Sequence, residues 1–579
     1  MADMGYDDTY AVWAKQTNLP EELAKDLAAQ KDDAEAREDA FAVPMSFGTA
    51  GMRGVYGAGI NRMNIYTVAQ ATAGLARYMN ELGAATCARG VAISFDSRHN
   101  SELFAHVSAH VLGAAGIKSY VFDALRPTPE LSFAVRELHA FAGIMITASH
   151  NPKQYNGYKL YGEDGGQLPP EASDKITEYV RAVTDIFNIA QADETELRAS
   201  GLMQLIGEDI DAAYLDAVAT VTVNPELVRR VGKTMKLVYS PLHGTGKVPV
   251  MRALQHAGFA NFAMVRQQAI YDPEFSTVTH PNPEFKEAFD LAIKLGREQD
   301  ADLLIATDPD ADRLGAAVRK DGEYHLLTGN QIASLLLHYI LEANKQAGTL
   351  PANAAVVKSF VSTELADAIC KDYGVAMINV ETGFKFIGDQ IAHYETTGDH
   401  TFMFGFEESY GYLIKPFVRD KDAVQSTLLL AEVAAYYQER GMTLADAIDA
   451  LYQRYGYYAE QTTSLEFAGV TGPKKMAALM VAFREEAPTE FAGVKIARVE
   501  DYLTQQAQLE DGTTTAITLP KANVLKYYME DGTWIAIRPS GTEPKVKFYI
   551  GVQGKSDADA QAKLHQYATA LNTFAESAE

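Results

Sequence analysis

Two cysteines, Cys87 and Cys370, are all that the 579 residues contain, and they stand far apart in apolar contexts. A disulfide framework is excluded, and two buried free thiols in a reducing compartment are expected. No apolar run reaches membrane-spanning length. The acidic start, Met1 to Ala11, lacks the positive charge and apolar stretch of a secretory signal. Positive charge is short as well: 51 Lys and Arg face 76 Asp and Glu, a formal charge of −25. That balance speaks against a nucleic-acid binder, which needs clustered cations. An anionic small molecule is still admissible, because a local pocket of Lys and Arg can override the global field. The thirteen histidines are dispersed, so no zinc set is legible. A soluble, cytoplasmic, globular chain is expected, too long for a single core.

The chain itself has a repeating grammar. Residues 1–40 read as helical, with Leu19, Leu23 and Leu27 at i, i+4 and i+8, an arm expected to pack on the first domain. Strands are then expected at Gly90 to Phe95, Lys118 to Phe122 and Phe141 to Ile146, separated by helices over Thr67 to Leu82, Ser101 to Ala115 and Pro129 to Leu138. Apolar strands alternating with helices predict largely parallel sheets covered on both faces. The rhythm restarts with strands at Met235 to Tyr239, Phe262 to Val265 and Leu303 to Ala306, and again with Ala354 to Val357 and Met377 to Val380. A tail of short strands and two helices closes the chain. The expected division is 1–205, 206–325, 326–460 and 461–579.

Four loops in this frame have chemical content. The apolar run ending at Ile146 delivers Thr147-Ala148-Ser149-His150-Asn151-Pro152 to a strand's carboxyl end, where open α/β sheets bind ligands. Lys159 follows ten residues after Ser149. A serine hydroxyl is a weak nucleophile until a base, a metal or positive charge activates it. Asp308, Asp310 and Asp312 alternate with Pro309 and Ala311 after another apolar strand. Three such carboxylates repel unless a cation sits among them, and oxygen ligands favour Mg²⁺, Mn²⁺ or Ca²⁺ over zinc. The glycine and glutamate of a calcium loop are missing. Gly405-Phe406-Glu407-Glu408-Ser409 offers acceptors and donors for sugar hydroxyls. Arg538-Pro539-Ser540-Gly541-Thr542 has the content of a phosphate cradle without the nucleotide P-loop spacing. Outside these four, the loop Gly48 to Gly54 wraps three glycines around Arg53 and suits close approach by an anion. Each loop alone is also an ordinary polar turn.

Together, in this order, the four motifs resemble the α-D-phosphohexomutase superfamily, in particular its phosphoglucomutase and phosphopentomutase-like branch, over roughly residues 45–555. The resemblance implies an α/β fold: three related α/β domains with mainly parallel or mixed sheets, plus a smaller C-terminal α+β domain, around a central cleft. It implies that Ser149 carries a phosphoryl group and that Asp308, Asp310 and Asp312 hold a Mg²⁺ that also contacts the serine. It implies that Glu407 and Ser409 bind sugar hydroxyls, and that Arg538, Ser540, Gly541 and Thr542 bind the non-reacting phosphate. Arg53, His150, Lys159, Arg313 and Lys385 become contacts near the reacting phosphate or in proton transfer, and His243 a lining residue of the cleft. The expected reaction is interconversion of glucose 1-phosphate and glucose 6-phosphate, with glucose 1,6-bisphosphate as catalytic activator. Pro309 and Phe406 stand where many relatives have glycine, which leaves pentose phosphates, mannose phosphate or bisphosphate synthesis open. The partners implied are small-molecule sugar phosphates, with no nucleic acid and no membrane; monomer and homodimer are both open. A phosphatase would use the same serine and metal but pass the phosphoryl group to water.

Overall fold

The computed structural model describes residues 5–47, 51–168, 170–467, 472–486, 488–540 and 545–577. Four sheets follow one another along the chain. In the first, Ala142–Ile146, Val91–Phe95, Ser119–Phe122 and Met203–Ile206 run parallel. The first three are buried at every position, which is why they read as continuous apolar runs. Helices Ile65–Leu82, Ser101–Ala114 and Pro170–Ala182 pack together, burying Val68, Leu75, Phe104 and Ile176 against the strands. Helix Thr128–Glu137 packs on the same strands but buries its Leu131 and Phe133 in a different core.

Two strands on one edge were not expected. Tyr155–Tyr161 pairs antiparallel with Ala142–Ile146, and Met52–Val55 pairs antiparallel with it in turn. The stretch from Tyr155 to Lys159, read as a continuation of the serine loop, is therefore a strand, and Lys159 sits opposite Met145. The arm packs on the first unit as expected, but Leu19 precedes the helix that carries Leu23 and Leu27. Leu23 and Leu27 on helix Glu21–Ala29 join Trp13, Phe41, Ala58, Ile60 and Ile186 in one cluster. Fully buried Trp13 meets Phe41, Tyr66 and Phe187 edge-on, a favoured aromatic geometry.

The second sheet is mixed, ordered Glu323–Leu326, Leu314–Lys320, Leu303–Thr307, Leu237–Ser240, Phe262–Met264. The third is ordered Ala376–Val380, Ala354–Ser359, Thr401–Glu407, Gly411–Leu413, with only the last strand antiparallel. The first three units share one continuous core, in which helix Ala423–Gln438 is buried along nearly its whole length. The fourth sheet has eight strands, all antiparallel. Its first strand, Tyr457–Glu466, pairs with Lys545–Gly554 and straddles the expected junction at 460/461. This unit has its own core, with helix Asp557–Ser577 against it. Phe360 and Val361 of the third unit join Tyr502, Val524 and Trp534 of the fourth in a small separate cluster.

Among the described residues, no helix is long and apolar enough to cross a membrane. Cys87 and Cys370 are both free and buried, as expected.

Candidate active site

Ser149 lies just past the end of strand Ala142–Ile146 and is only 3% exposed. Its backbone is left-handed, with φ 52°, a conformation that costs a non-glycine residue about 1–3 kcal/mol unless its surroundings impose it. They do. Thr147 Oγ1 accepts from the Ser149 N–H at 2.8 Å while donating to Asp96 at 2.6 Å. Buried Arg98 donates to the carbonyls of Ser149, Asn151, Pro152 and Tyr155 and pairs with Asp96 at 3.2 Å. One guanidinium thus fixes the whole serine loop. The sequence reading gave Arg98 no role, because its partners lie more than fifty residues on.

The strain aims the hydroxyl. Ser149 Oγ donates to Asp308 Oδ2 at 2.7 Å and lies 3.3 Å from His150 Nδ1. Asp308, Asp310 and Asp312 are all buried, with one oxygen of each within 4.8 Å of the others. Asp308 Oδ1 is held by the N–H groups of Asp312 and Arg313. Lys159 Nζ donates to Asp310 Oδ2 at 2.7 Å and to Asp312 Oδ2 at 3.3 Å. Thr128 Oγ1 donates to the same Asp310 oxygen at 2.7 Å. Lys421 approaches Asp312 at 3.3 Å and Asp420 at 3.0 Å. Thr128 and Lys421 had no signal in the sequence, since only tertiary contact brings them to the triad.

Burial raises Asp308 well above the ordinary carboxylate range, and Asp310 and Asp312 add to the rise. Burial acts the same way on Asp312, but Lys421 and Lys159 outweigh it and hold that group below the range. Asp310 Oδ1 and Asp312 Oδ1 are buried without a hydrogen-bond partner. Unpartnered buried carboxylate oxygens are costly. With one oxygen of each aspartate within 4.8 Å of the others and Asp308 bonded to Ser149 Oγ, the cluster fits an oxygen-ligated divalent cation such as Mg²⁺.

The loop Ser240 to Gly246 backs the triad rather than lining the cleft, which corrects the expectation for His243. Its ring is bonded to Ile270 O and Thr277 Oγ1 at 2.9 and 2.7 Å, and its backbone is left-handed. Thr245 donates to Pro309 O through both N–H and hydroxyl.

A cavity of about 400 Å³ is lined by His150 and Arg313, the neighbours of Ser149 and Asp312, and among others by Glu407, Ser409, Arg538 and Lys547. Burial, with Arg313 and Arg53 alongside, pushes the His150 imidazole well below its usual value, so it is neutral at pH 7. Exposed Arg53 donates to Asn151 Oδ1 at 2.8 Å. Arg313 pairs only loosely with Glu284, at 3.9 Å, and its Nε has no hydrogen-bond partner. Glu407 Oε1 accepts from Gly383 N–H at 2.8 Å, and Glu408 is tied to Ser359 at 2.9 Å. Burial raises Glu407 above the ordinary range despite Lys421. Arg538 stands on strand Trp534–Pro539 with Lys547 opposite it in register. Ser540 N–H donates to Lys545 O at 2.8 Å. Gly541 and Thr542 lie outside the described residues. Lys385 sits on helix Phe384–Thr397, lowered by burial, in the field of Asp389, Glu381 and Arg538.

Comparison with known proteins gives matches along most of the chain. The four domain families of phosphoglucomutase/phosphomannomutase match in order: α/β/α domain I at residues 44–186, domain II at 212–322, domain III at 328–455 and the C-terminal domain at 480–567. A phosphoglucomutase of Staphylococcus aureus is 39% identical over 559 residues, covering 96% of this chain and 97% of that protein. One of Staphylococcus epidermidis is 40% identical over 537 residues, covering 92% and 95%. A phosphomannomutase-like protein of Thermus thermophilus has the same fold, with a TM-score of 0.68 at 22% identity over 92% of this chain and 99% of that one. Parafusin of Paramecium, in an open form, gives 0.66 at 17% identity over 93% and 95%. The chain is a mutase enzyme and belongs to the phosphoglucomutase/phosphomannomutase family of the α-D-phosphohexomutase superfamily.

Proposed function

We propose that the enzyme is a phosphoglucomutase interconverting α-D-glucose 1-phosphate and glucose 6-phosphate, with Ser149 as phosphoryl carrier. One observation carries this reading: Ser149 Oγ lies 2.7 Å from Asp308, and its neighbour His150 lines a cavity with Arg313 and with Arg538 and Lys547 from the fourth unit. The named Staphylococcus relatives support glucose as the sugar.

Phosphoryl transfer requires neutralised and oriented phosphoryl oxygens with attacking and leaving oxygens in line. Mg²⁺ held by Asp308, Asp310, Asp312 and the serine oxygen would supply part of that neutralisation. Lys159 supplies more. Burial alone would lower its pKa, but Asp310 and Asp312 outweigh burial and keep it charged. A sugar hydroxyl attacks phosphorus on phosphorylated Ser149, the bond from phosphorus to Ser149 Oγ breaks, and the hydroxyl proton passes to neutral His150. The product is glucose 1,6-bisphosphate, which is also the activator that charges the serine. Arg538, Ser540, Gly541 and Thr542 hold the far phosphate, and Glu407 with Ser409 grips hydroxyls presented by either orientation. The bisphosphate then turns end over end, and Ser149 recovers the opposite phosphoryl group. Two buried free thiols fit a cytoplasmic enzyme.

The test is a coupled assay against glucose, mannose, ribose and deoxyribose 1-phosphates, each with its catalytic bisphosphate. Glucose is expected to give the highest kcat/KM; a pentose or mannose phosphate turned over faster would replace the substrate assignment. Ser149→Ala should abolish mutase turnover while retaining sugar-phosphate binding, and near-normal turnover would reject Ser149 as carrier. Release of free sugar and phosphate without isomerisation would make the enzyme a phosphatase.

A further inference from the structure

Away from the cleft, the fold assembles a metal-ligand set that the sequence did not reveal. Helix Ser101–Ala114 carries His106 and His110 four residues apart, which places both imidazoles on one face. Glu194, the first residue of helix Glu194–Ser200, faces them. His106 Nδ1 lies 2.8 Å and His110 Nε2 3.2 Å from one and the same oxygen, Glu194 Oε2. The other oxygen, Oε1, is held by Arg198 one turn on. Three donor atoms from two elements therefore converge within 4.8 Å of one another. Their rings stand at 76° with centroids 6.2 Å apart, so the nitrogens meet without stacking.

The backbone locks this convergence. Ala192 N–H donates to His110 O at 3.1 Å. Asp193 accepts from the N–H groups of Thr195 and Glu196 and fixes the turn that presents Glu194. Gly113 admits Leu197 so closely that a Cβ there would lie 2.3 Å from Leu197 Cδ2. The three side chains are 23–30% exposed, which leaves room for a water or further ligand.

Two imidazole nitrogens and one carboxylate oxygen, with an open position, are the donor set of three-ligand zinc centres. Imidazole ligation favours zinc and its transition-metal neighbours over Mg²⁺. We propose that His106, His110 and Glu194 form a second metal site, selective for Zn²⁺-class cations and separate from the aspartate triad. Metal–ligand bonds replace the two hydrogen bonds that now share one oxygen. Five residues of helix separate the nearer ligand, His106, from Ser101, whose hydroxyl contacts Asp96 at the serine loop. That is about 7.5 Å along the axis at 1.5 Å per residue, and Asp96 with Thr147 stands between Ser101 and Ser149. The bound ion would clip the helix to the segment entering strand Met203–Ile206, at the sheet edge opposite Met52–Val55.

The test uses the full chain, stripped with chelator and then held in excess Mg²⁺, with Zn²⁺ binding followed by calorimetry and Co²⁺ binding by visible ligand-field absorption. Wild type is expected to bind one equivalent of Zn²⁺ per chain beyond any taken by His106→Gln/His110→Gln, and to show a Co²⁺ absorption that the double variant lacks. Glu194→Gln, which keeps the shape of the site, is expected to weaken Zn²⁺ at least tenfold. Mutase turnover in Mg²⁺ without zinc should be unchanged in both variants, which also reports correct folding. Equal zinc stoichiometry and affinity in wild type and both variants, or no zinc bound by wild type, overturns the site.

Discussion

Gly244→Ala offers a strict test of how the metal loop is held, because the glycine packs directly on Pro309, between Asp308 and Asp310. A Cβ at position 244 would lie 2.3 Å from Pro309 Cα and 2.5 Å from Pro309 O. Carbon atoms pack at about 3.5–4.0 Å, so the two backbones must part by roughly 1.2 Å. Neither has room to slide. Thr245 N–H and Oγ1 both bond Pro309 O, Thr128 N–H bonds Asp310 O, and Ala423 N–H bonds Ala311 O. Overpacking of this kind costs about 1–3 kcal/mol. The larger consequence is chemical, since metal ligands must hold their distances to about 0.2 Å. A shift of about 1 Å near reacting groups can cost about 100-fold in rate. The expected outcome is a Mg²⁺ half-saturation at least tenfold higher and turnover about 100-fold lower at limiting Mg²⁺, read from initial rates across a Mg²⁺ series. Gly322→Ala, on the neighbouring hairpin with nothing within 4 Å of its Cβ, is the control. It should cost only the strain of a left-handed backbone, about 1 kcal/mol, and leave the Mg²⁺ dependence alone. Wild-type Mg²⁺ dependence in Gly244→Ala would refute the reasoning.

Arg98→Lys replaces a fork serving four carbonyls with a point charge, so turnover and thermal midpoint should fall together, with about 3–5 kcal/mol of local stability lost; unchanged turnover would mean that the serine loop holds itself. Thr128→Val removes a buried donor 2.7 Å from Asp310 and should destabilise by about 1–3 kcal/mol, with weaker Mg²⁺ binding read from the same rate series; identical Mg²⁺ curves would sink it. Lys526 donates to Phe360 O at 2.7 Å across the contact between the third and fourth units. Burial, with Lys358 alongside, pushes its ammonium down to about 7. Between about pH 7 and 10.5 the unfolded chain then binds one more proton than the folded one, so stability rises with pH, by up to about 1.4 kcal/mol per unit. Thermal midpoints of wild type relative to Lys526→Met should therefore climb from pH 7 to pH 9. A flat difference would show that the rings of Phe360, Tyr528 and Trp534 around the ammonium hold it charged.

The parts of this enzyme legible from sequence are those whose signal is local. Buried parallel strands are continuous apolar runs, so Ala142–Ile146 and Leu303–Thr307 and the loops they deliver, with Ser149 and Asp308, stand out. The antiparallel edges do not. Met52–Val55 is four residues with a glycine, and Tyr155–Tyr161 mixes Asn, Gly and Lys among tyrosines, so neither has the period of a strand. Lys159 was found by its distance from Ser149, but its position on a strand was not. Residues that act through tertiary contact alone were invisible: Thr128 meets Asp310 across 182 positions and Glu194 meets His106 across 88. Helix Ser101–Ala114 was legible; its metal-ligand face was not, because the third donor belongs to another element.

The charge of −25 does not conflict with an anionic substrate, because cations stand in the cleft itself and several of its acids are held by lysines or backbone N–H groups. Asp308 holds two backbone N–H groups and the serine hydroxyl, Asp310 and Asp312 hold Lys159 and Lys421, Glu407 holds Gly383, and Glu408 holds Ser359. The cations in the cavity lining are Arg313 on the triad side and Arg538 with Lys547 on the fourth unit, beside Glu284, Glu407, Glu408 and Glu460. A hydrolase needs only the first centre, at the phosphoryl group it cleaves. A second cationic centre across the same cavity of about 400 Å³ has a use only if the molecule bound there has a phosphate at its other end. Neutralising Arg538 should therefore raise KM for sugar monophosphates and weaken the bisphosphate, while transfer of the phosphoryl group from Ser149 to water, read as loss of phosphoserine without sugar, should not change. Equal effects on both would place Arg538 in the chemistry at the serine and remove the case for two opposed phosphate sites.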